Sequence, residues 1–112
     1  MRKETSANFV NKQFLVKYCR VNTALDIISG RWKAIIVILI SEGVNRFSLL
    51  KGKMPNISDQ ALSKQLKEME KDSLVYKEVI PEVPVKVNYH LTAKGEALCP
   101  ILADMANWSD MK

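Results

Sequence analysis

The apolar positions of this chain change period several times, and each change marks an element. Phe9, Val10, Phe14 and Leu15 are spaced for a short amphipathic helix whose apolar side needs a surface to cover it. Val21, Leu25 and Ile28 recur at i, i+4 and i+7, which predicts a helix over 20–29, and Gly30 stands where a left-handed C-terminal cap would fall. The next run, WKAIIVILIS from Trp32 to Ser41, is apolar nearly all round. Taken alone it fits a buried strand, since Ile and Val favour strands. The helix before it and the Glu42-Gly43 stop after about three turns make it a central buried helix. Phe47, Leu50 and Met54 then predict a short helix, which Gly52 is expected to end early, and Pro55-Asn56 reads as a turn.

The most informative stretch follows, Ile57 to Leu74. Ser58 can cap a helix by accepting from the first-turn amides. Asp59 adds negative charge at the positive end of the dipole. Ile57 and Leu62 are placed for a hydrophobic staple. At 3.6 residues per turn Leu62, Leu66 and Met69 share one narrow face. Gln60, Lys64, Lys67 and Lys71 share the opposite one, with Ser63 beside them. Asp59 and Glu70 fall near the edge of the apolar face, and Glu68 to one side. Such a stripe, in isolation, is most simply a solvated helix face.

The period then changes to two. Val75, Lys77 and Val79 alternate with Tyr76, Glu78 and Ile80. After Pro81-Glu82-Val83-Pro84, residues Val85, Val87, Tyr89 and Leu91 alternate with Lys86, Asn88 and His90. Two alternating runs around a Pro-bounded loop predict a β-hairpin, with both prolines at its tip. Thr92 caps a last helix through Ala97, Leu98, Ile101, Leu102, Met105 and Trp108, which Pro100 is expected to kink or interrupt. A short helix, a turn with Asn, a polar-faced helix and a hairpin stand in series. That is the order of a helix-turn-helix followed by a wing. The fold class is therefore α+β, mainly α.

The 112 residues fit one domain. Seventeen Lys and Arg against twelve Asp and Glu give a net charge of +5, which favours anionic partners. No apolar run approaches the ~20 residues that span a bilayer, and the first residues do not form a signal peptide. The chain is accordingly expected in the cytoplasm, away from membranes. Cys19 and Cys99 are too few for a zinc site or a disulfide scaffold. No Gly-rich phosphate loop, metal-ligand spacing or nucleophile with a His partner suggests an enzyme, and no metal or cofactor is expected.

With helix-turn-helix and wing in place, the sequence resembles the HxlR family of bacterial and archaeal transcription regulators, relatives of the MarR group. The resemblance spans residues 19 to 108. It rests on Cys19, Gly30-Arg31-Trp32-Lys33, Arg46-Phe47, Ile57-Ser58 with Leu62, Leu66 and Leu74, the run from Pro81 to Pro84 leading into Val87, Tyr89, Leu91-Thr92 and Gly95, and Pro100 with Trp108. It implies a winged helix that dimerises through its terminal helices and inserts one recognition helix per protomer into the major groove. The departures from the family pattern include Gly52 inside the short helix, the long segment before Cys19, and two replaced glycines. Ser73 replaces a usual Gly, and because a left-handed Ser costs about 1 kcal/mol, a turn of different shape is expected. Asn56 replaces another Gly, with less consequence, since Asn tolerates the left-handed region.

Arg46, Lys64, Lys67 and Lys86 are the candidate phosphate contacts. Gln60 and Ser63 are the candidate base-edge contacts, and Ser58, at the helix start, is a further candidate DNA-binding residue. Cys19 lies near Lys17 and Arg20 and ahead of a predicted helix N-terminus, a setting that favours thiolate. The resemblance adds that some members sense oxidants or electrophiles with a cysteine here. A partly buried structural cysteine is the other reading. Cys99 is expected to be packed and inert, and His90 to be a wing surface residue. Trp32 and Trp108 are core or interface anchors. Residues 1–18 are expected to form an arm contributing to dimerisation, and 19–112 the DNA-binding domain with a C-terminal dimerisation helix. Phe9, Phe14, Leu98, Leu102, Met105 and Trp108 are the candidate interface. The expected partner is double-stranded DNA at a pseudo-palindromic operator, bound by a homodimer. The competing class is a winged helix used only for protein–protein interaction, whose recognition face would be acidic or apolar, whereas this one is basic.

Overall fold

A computed structural model describes residues 16–112; Phe9, Val10, Phe14 and Leu15 lie outside them. A helix, α1, runs through residues 16–27. It therefore crosses the 18/19 boundary drawn from sequence. It ends at residue 27, and Gly30, three residues further on, takes φ +86°. There follow α2 (Lys33–Ser41), α3 (Phe47–Lys53), α4 (Asp59–Lys71), the antiparallel pair β1 (Val75–Ile80) and β2 (Lys86–Leu91), and α5 (Ala93–Ser109). The order is that of a winged helix-turn-helix, mainly helical, as the periodicity predicts.

The core gathers Ile36, Val37 and Ile40 of α2, Leu50, Met54 and Ile57 of the α3 turn, Leu62, Leu66 and Met69 of α4, and Leu74, Val75 and Leu102. Helix α2 is not buried all round: Ile35 and Ile38 on its far side are 39% and 41% exposed. An apolar run longer than the core can receive leaves one edge in water. Gly52 does not shorten α3, which continues through Lys53. The isolated glycine lowers helix propensity, but Leu50 in the same turn is fully buried, and packing outweighs propensity.

Two helices end in the same way. At the end of α2 the amide of Gly43 donates to the carbonyl of Ile40, and that of Val44 to Leu39. At the end of α4 Ser73 donates to Glu70 and Leu74 to Met69. Both are Schellman closures, which need a left-handed residue after the cap. Gly43 supplies it freely, at φ +95°. Ser73 supplies it at φ +61°. The turn thus keeps its shape despite the serine, contrary to the expectation of a different one. The reason lies outside the turn. The Thr92 hydroxyl reaches the carbonyl of Ser73, the Thr92 amide donates to Leu74, and the Lys94 ammonium donates to the carbonyl of Asp72. Leu74 and Met69, brought together by this closure, are 1% and 0% exposed.

Thr92 caps α5 by accepting from Gly95. At Gly95 the backbone of α5 approaches the residue before β1 so closely that a Cβ would stand 2.2 Å from the carbonyl oxygen of Leu74. No other residue fits there without moving the helix. Helix α5 runs uninterrupted through Pro100. Pro100 and Glu96 are both on the exposed side, where water can satisfy the carbonyl that loses its partner to the proline. The wing pairs Val75 with Leu91 through Ile80 with Lys86 in unbroken register, leaving both prolines in the tip. One further bond widens it: the Tyr89 amide donates to the carbonyl of Asn45, 2.8 Å away, so the α2–α3 link lies along β2.

The terminal helices are the uncovered part. On α1, Val16, Tyr18, Val21 and Leu25 are 49–59% exposed. On α5, Ile101, Met105 and Trp108 are exposed, Trp108 by 73%. Leu102, expected at an interface, is instead 8% exposed within the protomer's own core, and Leu98 is half-buried against that core. The face of α5 bearing Leu98 and Leu102 meets the core, and only the other face is left exposed. An apolar groove remains between Ala24, Ile27 and Ile28 at the end of α1 and Ala97, Leu98 and Ile101 of α5. Trp32 is half-buried against the core with the Arg31 guanidinium 5.5 Å from its ring.

Candidate nucleic-acid interface

Helix α4 is presented by three constraints written into its sequence. Its start is fixed by Ser58, whose side-chain oxygen accepts from the amide of Ala61 at 3.1 Å. Its orientation is fixed by Leu62, Leu66 and Met69, all at 0–1% exposure. Its spacing from α3 is fixed by the turn, where the Ile57 amide donates to the carbonyl of Met54 and both side chains are buried. The opposite face, as the helical period predicts, carries Gln60, Lys64, Lys67 and Lys71, all exposed, with Ser63 half-buried beside them. Asp59, Gln60, Ser63, Lys64, Lys67 and Glu68 line one open depression. The cap uses the Ser58 oxygen only as acceptor, so its O–H proton remains available to an acceptor on a ligand.

The acidic residues of α4 find partners on other helices. The Asp59 side chain is 74% exposed and its Oδ1 meets Lys51 Nζ of α3 at 2.6 Å. Glu68 meets Lys33 Nζ of α2 at 2.7 Å. The Lys33 side chain is 8% exposed. The hydrogen bond from Lys33, reinforced by its charge, holds the Glu68 carboxyl below the usual carboxylate range. Neither pair is visible in the sequence, because each joins residues of different helices.

Arg46 is tied to the wing, and Lys86 lies on it. Arg46 is the N-cap of α3, and its Nε donates to Asn88 Oδ1 of β2 at 3.2 Å. A guanidinium has five N–H donors, so one bond to Asn88 orients the group and leaves the others for a phosphate. Asn88 is the partner of Arg46 that sequence reasoning missed, and its alternation with Val87 and Tyr89 along β2 was the available signal. Lys86, at the tip end of β2, lies 3.4 Å from Glu82 and is 44% exposed along its side chain. On the wing His90 Nε2 is 2.8 Å from Glu78 Oε1, and its ring lies 5.2 Å from that of Tyr76. The bond from His90, and a second from Asn88, hold the Glu78 carboxyl low. His90 is thus a wing residue with a local partner. Among the described residues no group of three or more His, Cys, Asp or Glu is arranged to hold a metal. No helix among them is long and apolar enough to cross a membrane.

Cys19 is exposed and lies inside α1, its carbonyl accepting from the Thr23 hydroxyl at 2.8 Å. The expected helix N-terminus beside its thiol is therefore not there: the helix begins before it. Cys99 is half-buried against the core, its thiol directed at the Gly95 carbonyl 3.8 Å away.

This arrangement has close counterparts. The chain is 46% identical over 90 residues to YvaP of Bacillus subtilis strain 168, an HTH-type transcriptional regulator, over 80% of this chain and 83% of that one. The solved structure of the reduced form of the transcriptional regulator YodB from B. subtilis superposes with a TM-score of 0.75 at 36% identity, covering 81% of this chain and 89% of that one. That of the redox regulator HypR in its reduced form superposes with a TM-score of 0.77 at 38% identity, covering 81% and 90%. These relatives are transcription regulators rather than enzymes. The sequence profile of the HxlR-like helix-turn-helix family matches residues 27–112. The chain belongs to the HxlR-like helix-turn-helix family of transcription regulators.

Proposed function

We propose that this regulator binds an operator sequence-specifically as a homodimer, with α4 as the recognition helix and the wing on the flanking backbone. The observation that carries this reading is the polar face of α4: Gln60, Ser63, Lys64 and Lys67 gathered around one open depression, opposite the buried Leu62 and Leu66. Lys64 and Lys67 contact phosphates, as do Arg46, Lys86 and the Ser58 hydroxyl from either side. Gln60 and Ser63 meet base edges; Gln can pair bidentately with adenine. Two such helices, one per protomer, lie about one DNA turn apart, roughly 34–36 Å, on a pseudo-palindrome. The exposed apolar faces of α1 and α5 support the dimer. The 1–18 arm, with Phe9 and Phe14, joins Met105 and Trp108 in that interface, in a cytoplasmic protein. A purely protein-binding winged helix is less consistent with so basic a recognition face.

The experiment compares Lys64→Glu and Gln60→Ala on specific and random duplexes. Lys64→Glu weakens both alike and lowers the salt slope by about one unit. Gln60→Ala weakens the specific duplex and leaves the random one unchanged. Unaltered affinity in Lys64→Glu would remove α4 from the interface.

The same regulator responds to oxidants through Cys19. Its exposed thiol on an uncovered helix supports this, as do the redox regulator HypR and the diamide-treated and quinone-bound structures of YodB among the chains it resembles. Diamide lowers operator affinity of the wild type, and Cys19→Ser abolishes that loss. Equal losses in both proteins reject the role.

A further inference from the structure

The depression on the recognition helix holds two carboxylates that ought to oppose its work, Asp59 and Glu68. Asp59, at the helix start, is met by the neighbouring Lys51 of α3. Glu68 shares the depression with Gln60, Lys64 and Lys67 and is 39% exposed along its side chain. A free carboxylate there would face the same phosphates as the lysines and repel them. It would also draw Lys64 and Lys71, the other cations whose charge it feels, away from the nucleic acid. Instead it is met at 2.7 Å by the ammonium of Lys33, a residue of another helix and the only charged side chain buried in the described core.

The position of Lys33 is not explained by its own helix. It stands in the first turn of α2, where the helix dipole disfavours a cation. Its burial is costly unless the charge is paired. Both costs are accepted at a place from which Nζ reaches the rear of the α4 face.

We propose that Lys33 is a positioning residue for DNA binding: it holds Glu68 from beneath the recognition helix and cancels its charge, leaving the DNA-facing side of α4 to its lysines. This rests on the reading of α4 as the DNA-contacting helix. A glutamate is ionised through the neutral range in any case, and Lys33 lowers its pKa further, so the cancellation depends on the lysine and not on protonation of the acid. Lys33 touches no DNA in this arrangement and acts only through Glu68.

The test uses the full chain and duplex DNA. Wild-type binding is measured first, with its salt dependence; a wild type without affinity for any duplex removes the α4 reading, and the proposal with it. Given wild-type binding, Lys33→Gln and Lys33→Met each weaken it about fivefold at low salt, the scale of one uncancelled charge near a phosphate in water. The loss shrinks as salt rises. Adding Glu68→Gln to either variant restores wild-type affinity, while the melting temperature need not recover. Thermal melts run alongside, and Lys33→Gln, which retains a hydrogen-bonding group, carries the comparison if Lys33→Met does not fold. Wild-type affinity in Lys33→Gln, or a double variant as weak as the single one, overturns the proposal and reduces the pair to a tie between α2 and α4.

Discussion

The two sides of this protomer are finished to different degrees. Around α4 the apolar residues are fully covered: Leu62, Leu66 and Met69 are each at 0–1% exposure. Two of its acidic residues are braced by pairs with neighbouring elements, Asp59 with Lys51 and Glu68 with Lys33. Along α1 and the end of α5 the opposite holds. Val21, Leu25, Ile101, Met105 and Trp108 are 43–73% exposed, on helices as regular as α4. A helix face made of large apolar residues and left in water is an interface or a liability. On the proposed reading, the chain is closed where α4 would meet DNA and open where a second copy would complete the core. In a two-fold dimer the same patch serves both subunits.

The largest expected effect breaks the closed side. Leu66→Ala opens a cavity beneath α4 and lowers stability by about 2–5 kcal/mol, read as a fall in denaturation midpoint with DNA binding lost alongside. On the open side, Trp108→Ala removes a side chain that touches little within its own protomer. It leaves the fold nearly intact but raises the dimer dissociation constant by about thirtyfold, the scale of an aromatic hot spot near 2 kcal/mol. Sedimentation at micromolar concentration reads the shift, and operator affinity falls with it. A Trp108→Ala protein that stays fully dimeric moves the hot spot elsewhere, whereas a monomeric wild type removes the dimer.

The smallest effect concerns a strained link on the closed side. Ser73 holds φ +61° where Gly43 does the same work without strain. Ser73→Gly relieves about 1 kcal/mol of that cost, offset in part by the greater freedom of glycine in the unfolded chain. A rise of a few degrees in melting temperature, of the order expected for such an increment in a domain of this size, checks it. No rise would mean that the bonds from Thr92 and Lys94 to this turn already cover the strain.

The sequence by itself determined whatever depends on neighbours in the chain. Periods of 3.6 and 2 placed α2 to α5 and the hairpin. Ser58 and Thr92 marked two helix starts, and Gly30 and Glu42-Gly43 marked two ends. The order of elements, with the residues that carry the family resemblance, sufficed for the winged helix and its regulator family. The polar face of α4 was legible because four residues on one helix share a side whatever the helix packs against.

Only the tertiary structure decided what depends on how helices cross. It sent Leu102 into the core and left Trp108 in water, though both belong to one apolar-rich helix. It set Cys19 within α1 rather than ahead of a helix start. It joined Arg46 to Asn88 across 42 positions of sequence, Lys33 to Glu68, and the Thr92 hydroxyl to the left-handed Ser73. A helical period fixes which residues share a face of their own element. Which distant residue meets that face depends on crossing angles and on the burial that the whole core can provide, and neither is written in a local pattern.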